Sequence, residues 1–161
     1  MQKQLKTAVD ACTNLSPVGD CTVLRNHLHG PIGEWDVSQV IDVTQMFYYK
    51  ESFNSDISKW DVSSVTNMQN MFSGATSFNI DISRWDVSSV TTTDSMFKGA
   101  TSFAQILCGT AWLESKATKD YMFTGSSGGL RFGCENLTHS CTRKPPPLIA
   151  FTAQHHRIHH T

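Results

Sequence analysis

The apolar positions between residues 53 and 97 follow a pattern that is written twice. Phe53, Ile57, Trp60, Val62, Val65, Met71 and Phe72 return as Phe78, Ile82, Trp85, Val87, Val90, Met96 and Phe97, each displaced by 25 residues. The polar positions are copied with them: WDVSSVT at 60–66 becomes WDVSSVT at 85–91. An earlier copy is marked by Trp35 and Met46-Phe47, and Phe103 ends the third. A fourth copy is degraded. Trp112 comes 27 residues after Trp85, and Met122-Phe123 comes 26 after Met96-Phe97. There, WLESKATKDYMF aligns with WDVSSVTTTDSMF once one residue is deleted, but the Asp and both valines are gone.

A 25-residue unit cannot bury a hydrophobic face alone, whereas stacked units can. The period therefore predicts an α/β repeat solenoid of about four coils. DISKWDVSSV is rich in β-branched and aromatic residues and lacks Pro and Gly; it reads as one or two short strands with a bend near Asp-Val-Ser. TNMQNMFSGA places Met68, Met71 and Phe72 at helical offsets and is followed by glycine, which predicts helical turns stopped by Gly74, Gly99 and Gly125. Equivalent strands pair in parallel at ~4.8 Å. Like residues then lie over like: Trp35/Trp60/Trp85, Phe47/Phe72/Phe97 and Phe53/Phe78/Phe103 form columns, with Val40, Val65, Val90, Ile57 and Ile82 between them. Burial of each ring contributes roughly 1.5–3 kcal/mol. Asn54 and Asn79 make a shorter column that stops at Ala104. A helix-pair array is the alternative, but WDVSSVT is a poor helix former. At the N-terminus, Leu5, Ala8, Val9 and Cys12 share one helical face, so residues 1–29 are expected to cap the first coil. The solenoid is expected over 30–126. Residues 127–161 are read as a cap segment and a His/Pro-rich tail.

The run FNxDISxWDVSSVTNMxxMFxGATSF, spelled by Phe53–Phe78 and again by Phe78–Phe103, resembles the repeat of BspA-like leucine-rich-repeat surface proteins. These occur in bacteria, mycoplasmas and marine protists. LKTAVDAC resembles the helix that precedes the first coil in eukaryotic members. The resemblance covers roughly residues 30–126. It implies a right-handed solenoid, an extracellular setting and a role in adhesion or recognition, and it carries no catalytic motif.

Composition adds location and excludes some partners. Net charge is −1, so no global field favours nucleic acid or a membrane surface. The centre, 31–103, is acidic, with nine acids against four bases, and 104–161 is basic, with three acids against six bases. No run of 18 apolar residues exists for membrane insertion, and the first residues lack the apolar core of a signal peptide. The five cysteines lack C-x-x-C spacing. Cys12 with Cys21 and Cys134 with Cys141 bracket two short loops, leaving Cys108 over. Each loop holds a glycosylation sequon, at Asn14 and at Asn136. Together these favour a secreted or cell-surface protein.

Candidate chemistry is sparse. Asp36, Asp61 and Asp86 recur at one-coil spacing, ~5 Å apart, where each neighbouring pair repels by roughly 1 kcal/mol in water. Backbone N–H groups two residues on can offset this in Asx-turns. A calcium ion between coils, with Asp56 and Asp81 adding oxygens, is the rival reading. Ser63, Ser64, Thr66, Ser88, Ser89 and Thr91 form a regular hydroxyl face, either plainly solvated or a binding surface for a protein strand, a glycan or ice. His155, His156, His159 and His160 are paired at i, i+4 and read as a tag-like tail or a metal chelate. Cys108 or a serine with His139 lacks any nucleophile signature. The expectation is a non-enzymatic recognition or adhesion module for a protein or glycan partner. Its alternative is a structural spacer or subunit of a larger assembly.

Overall fold

A computed structural model describes residues 2–21 and 30–131 of the chain. Cys134, Cys141, Asn136, His139, His155, His156, His159 and His160 lie outside the described residues, and so does most of the expected C-terminal cap and tail.

Helix α1 (Gln2–Leu15) occupies the place where the apolar face predicts it. Val9 and Cys12 are buried and Leu5 packs against the same core. The helix stops before Pro17, whose ring cannot continue it. One disulfide closes the cap on itself, and three links fasten it to the first repeat. Cys12 and Cys21 are disulfide-bonded, with Cα atoms 5.4 Å apart. The Lys50 ammonium reaches Asp10 at 2.9 Å. The Ile32 amide donates to the Gly19 carbonyl and the Asn54 amide to the Val18 carbonyl. The disulfide spans nine residues, a loop short enough for a closure term of about 2–3 kcal/mol. A chain carrying both Cys12→Ser and Cys21→Ser should lose that much stability, read as a lower urea midpoint at unchanged slope.

Beyond the cap, successive units lie one upon the next. Parallel bridges run Asp42 to Asn67, Asn67 to Thr92 and Thr92 to Thr118. After each bridge the backbone amides alternate. Those of Val43, Gln45, Phe47 and Tyr49 donate across to the carbonyls of Asn67, Gln69, Met71 and Ser73 in the next layer. Those between them, Met46, Tyr48 and Lys50, donate back three residues to Val43, Gln45 and Phe47. The same alternation recurs from Met68 to Ala75 and from Thr93 to Ala100.

This corrects the expectation of helical turns in TNMQNMFSGA. An α-helix would turn every amide inward to the residue four before it. Here every second amide is claimed by the neighbouring layer, so the chain forms a ladder of tight turns. Such turns need left-handed residues. Gln45, Asn70, Ser95 and Tyr121 have φ of 55°, 55°, 56° and 57°. Gly74, Gly99 and Gly125 have φ of 74°, 71° and 79°, but the first unit puts Tyr49 there, at 52°. A side chain in that region costs roughly 1–2 kcal/mol. The expected strands are correspondingly short. Among the described residues the only strands are β1 (Ile106–Leu107) and β2 (Gly129–Leu130), which pair in parallel. The fourth unit inserts a small helix, α2 (Thr110–Glu114), which is why its Trp arrives late.

The core is a double column of phenyl rings. Phe47, Phe72, Phe97 and Phe123 stack at 5.4, 5.7 and 5.5 Å. Phe53, Phe78 and Phe103 stack beside them at 6.1 and 5.8 Å. Within each layer the two rings lie 3.9 Å apart. The tryptophans behave differently from the expected indole column. Trp60, Trp85 and Trp112 make no ring contact with one another; each indole N–H instead donates to a carbonyl of the preceding layer, that of Ile32, Ile57 and Ile82, at 3.0, 3.2 and 3.1 Å. A buried indole needs that partner, and the repeat supplies it.

Candidate binding surface

The side chains that line the outside of the stack follow from the same register. At each Asp-Val-Ser corner the aspartate accepts from the amide two residues on. Ser38, Ser63 and Ser88 donate to Asp36, Asp61 and Asp86 at 3.0, 3.1 and 3.0 Å. Asp56 and Asp81 do the same for Ser58 and Ser83 at 3.0 and 2.9 Å. These are Asx-turns, in which the carboxylate replaces a backbone acceptor and fixes the bend.

At Asp36, Asp61 and Asp86 the serine hydroxyl is the largest influence on the carboxyl. It holds Asp36, Asp61 and Asp86 below the ordinary value of 3.8, helped by the serine amide. Asp36 and Asp86 push Asp61 the other way, but more weakly. A carboxyl whose value is depressed by folding stabilises the fold above its unfolded value. That contribution drains away as pH falls through the lower folded value. The melting temperature should therefore hold steady from neutral pH down to about 5 and fall below about 4. Asp61→Asn keeps an oxygen acceptor for the turn and removes the charge, so it should leave the neutral-pH melting temperature nearly unchanged and soften the acid fall. Thermal unfolding followed across that range tests both.

Among the described residues no group of three or more His, Cys, Asp or Glu side chains stands together to hold an ion, so the Asp36, Asp61 and Asp86 carboxylates do not converge on one. Each is turned to its own corner.

The hydroxyl face is partly occupied by the fold itself. Thr66 and Thr91 donate to the carbonyls of Ile41 and Thr66 in the layer before, at 3.0 and 2.9 Å. Ser63 donates to Asp61 at 2.6 Å. Ser88 bonds Asp86. Only Ser64 and Ser89 keep side-chain hydroxyls without a partner among the described residues. A second hydroxyl line went unread in the sequence: Thr76 and Thr101 donate to the carbonyls of Glu51 and Thr76. Asn54 and Asn79 each accept the amide one unit ahead, from Asn79 and Ala104, both at 3.0 Å. The column therefore ends where a last amide still needs an acceptor but no further asparagine is required.

Sequence reasoning also passed over the exposed aromatic residues. Tyr48 and Tyr49 stand at the solvent side of the first layer, where the next two units carry Ser73-Gly74 and Lys98-Gly99. The break in the repeat was the available signal. Cys108 corrects another reading: it is half-buried and disulfide-bonded, not a spare thiol, and its partner lies outside the described residues. Asn14 is exposed at the end of α1, but Ser16 of its sequon is buried and its hydroxyl bonds Asp20 at 2.5 Å.

No helix among the described residues is long and apolar enough to cross a membrane. A family model described as a Mycoplasma protein of unknown function, DUF285, matches residues 18–129. No curated protein and no solved structure matches the chain.

Proposed function

We propose that this chain, which belongs to the DUF285 family of Mycoplasma repeat proteins, is a non-enzymatic recognition module of the BspA-like kind: a short right-handed solenoid, secreted or held at a cell surface, that binds a protein or glycan partner on its rigid flank. The observation that carries the reading is the spacing of the flank. Interlayer amide bonds, threonine hydroxyls and indole N–H groups lock equivalent residues into columns one layer apart. Side chains on such columns lose little freedom on binding, which favours recognition by a repetitive partner. Disulfides at Cys12–Cys21 and at Cys108 support an oxidising, extracellular setting. The test is the intact chain on paired glycan and extracellular-protein arrays. Selective retention on a small set of baits is expected, and uniform absence of binding on both arrays overturns the reading.

One observation favours a second reading, a subunit of a larger assembly. In the last described layer the amides of Tyr121, Phe123 and Gly125 have no acceptor among the described residues, although their equivalents in earlier layers all donate across. The carbonyl of Ala117, whose equivalents accept from the layer ahead, is instead taken by the Lys119 ammonium at 2.8 Å. One side of this edge is closed and the other offers donors to an added strand. Persistent co-purification with a defined complex would favour this role over free recognition.

A further inference from the structure

We propose that Tyr48 and Tyr49 form a stacking site for a neutral pyranose ring, so that the glycan arm of the recognition reading, on which this inference rests, has a definite place. Tyr49 lies flat against the backbone of the second layer. A Cβ added to Gly74 would stand 2.7–3.0 Å from three of its ring carbons, so only glycine admits the ring there. One face is thus packed and the residue is still 62% exposed. Tyr48, 42% exposed, stands nearly perpendicular to it, with centroids 4.5 Å apart and planes at 85°. The two rings make a floor and a wall.

The polar surroundings fit a polyhydroxylated ligand. Ser73, one unit on from Tyr48, brings a hydroxyl to the next layer and is 6% exposed. Lys98, one unit further, is exposed and in no ion pair among them. Glu51 is exposed two residues from Tyr49 and carries the opposite charge. A peptide strand has little to pair with here, because the amides of Tyr49, Lys50 and Gly74 already donate to Ser73, Phe47 and Lys98. What remains is an aromatic face and a few side-chain hydrogen-bonding groups. A sugar presents one flat C–H face to such a ring and its hydroxyls to such groups. Tyr49 holds a left-handed φ of 52° in the place that is glycine at 74, 99 and 125, so a large ring stands where the other layers carry no side chain.

Tyr49→Gly gives the first layer the residue its neighbours carry. The intact chain and its Tyr49→Gly and Tyr48→Ala variants would be titrated calorimetrically with cellopentaose and chitopentaose, and their melting temperatures recorded. The expected result is measurable binding of at least one oligosaccharide by the parent chain. Tyr49→Gly should weaken it about tenfold or more with an equal or higher melting temperature. Tyr48→Ala should weaken it less. Binding unaltered by Tyr49→Gly overturns the site, and so does a melting temperature that falls along with binding, which assigns the ring to packing. If the parent chain holds protein baits but neither sugar, this site falls and the recognition reading stands. If it holds no bait at all, both fall.

Discussion

Phe72→Ala is expected to cost about 4 kcal/mol, the largest loss of any single truncation in the stack. The ring is fully buried. It stacks on Phe47 at 5.4 Å and on Phe97 at 5.7 Å, lies 3.9 Å from Phe78, and meets Trp85 at 6.4 Å. Removing it opens a cavity bounded on every side by rings whose backbones are tied between layers. The surroundings therefore cannot close over the gap, and the cavity cost adds to the lost transfer energy. Phe123→Ala at the end of the same column is the comparison. That ring is half-buried and has neighbours on one side only, Phe97 and Phe103. Its loss should cost less than half as much. Urea unfolding of both variants measures the difference, and equal midpoints would refute the idea that the stack is anchored from its centre.

Gly33→Ala is expected to cost about 3 kcal/mol or more, for the opposite reason. A Cβ on Gly33 would fall well inside contact with the Asp56 carbonyl oxygen and 2.9 Å from its carbon. Those atoms are backbone and cannot swing aside. They also adjoin the Ile57 carbonyl that receives the Trp85 indole at 3.2 Å. The first and second layers must part to admit one methyl group. Gly99→Ala separates crowding from conformation. Nothing stands closer than 3.9 Å to its added Cβ, and only its φ of 71° is offended, so it should cost about 1–2 kcal/mol. Similar losses for the two would mean that dihedral strain, not the approach of layers, governs both glycines.

These two variants mark what the residues alone disclosed. The phenyl columns were legible because they repeat at fixed spacing and nothing else competes for them. The aspartate corners were legible because Asp-Val-Ser carries its own local chemistry. The run after each Thr was misread as helix, since Met68, Met71 and Phe72 sit at helical offsets. Offsets of three and four also suit a turn ladder, and only the claim of the next layer on alternate amides decides between them. Trp60 and Trp85 were placed in the core correctly and given the wrong neighbours, because a one-dimensional pattern shows that indoles align but not where their N–H groups point; Trp35, in the first layer, is only half-buried. Tyr49 escaped notice because attention to what repeats passes over what does not. Cys108 was set aside by pairing nearest cysteines in sequence, a rule that ignores how far a folded chain returns upon itself.

The alternating amides have a consequence for how such a molecule changes size. Each layer brings donors for its neighbour and offers the acceptors that neighbour needs, so a whole unit can be inserted or removed and every seam still closes. A fragment of a unit would set an indole N–H against solvent and a threonine against phenyl rings. Lengthening by one complete 25-residue unit is therefore the change that this architecture accepts with the least repair, since a duplicate arrives with its own seams already matched.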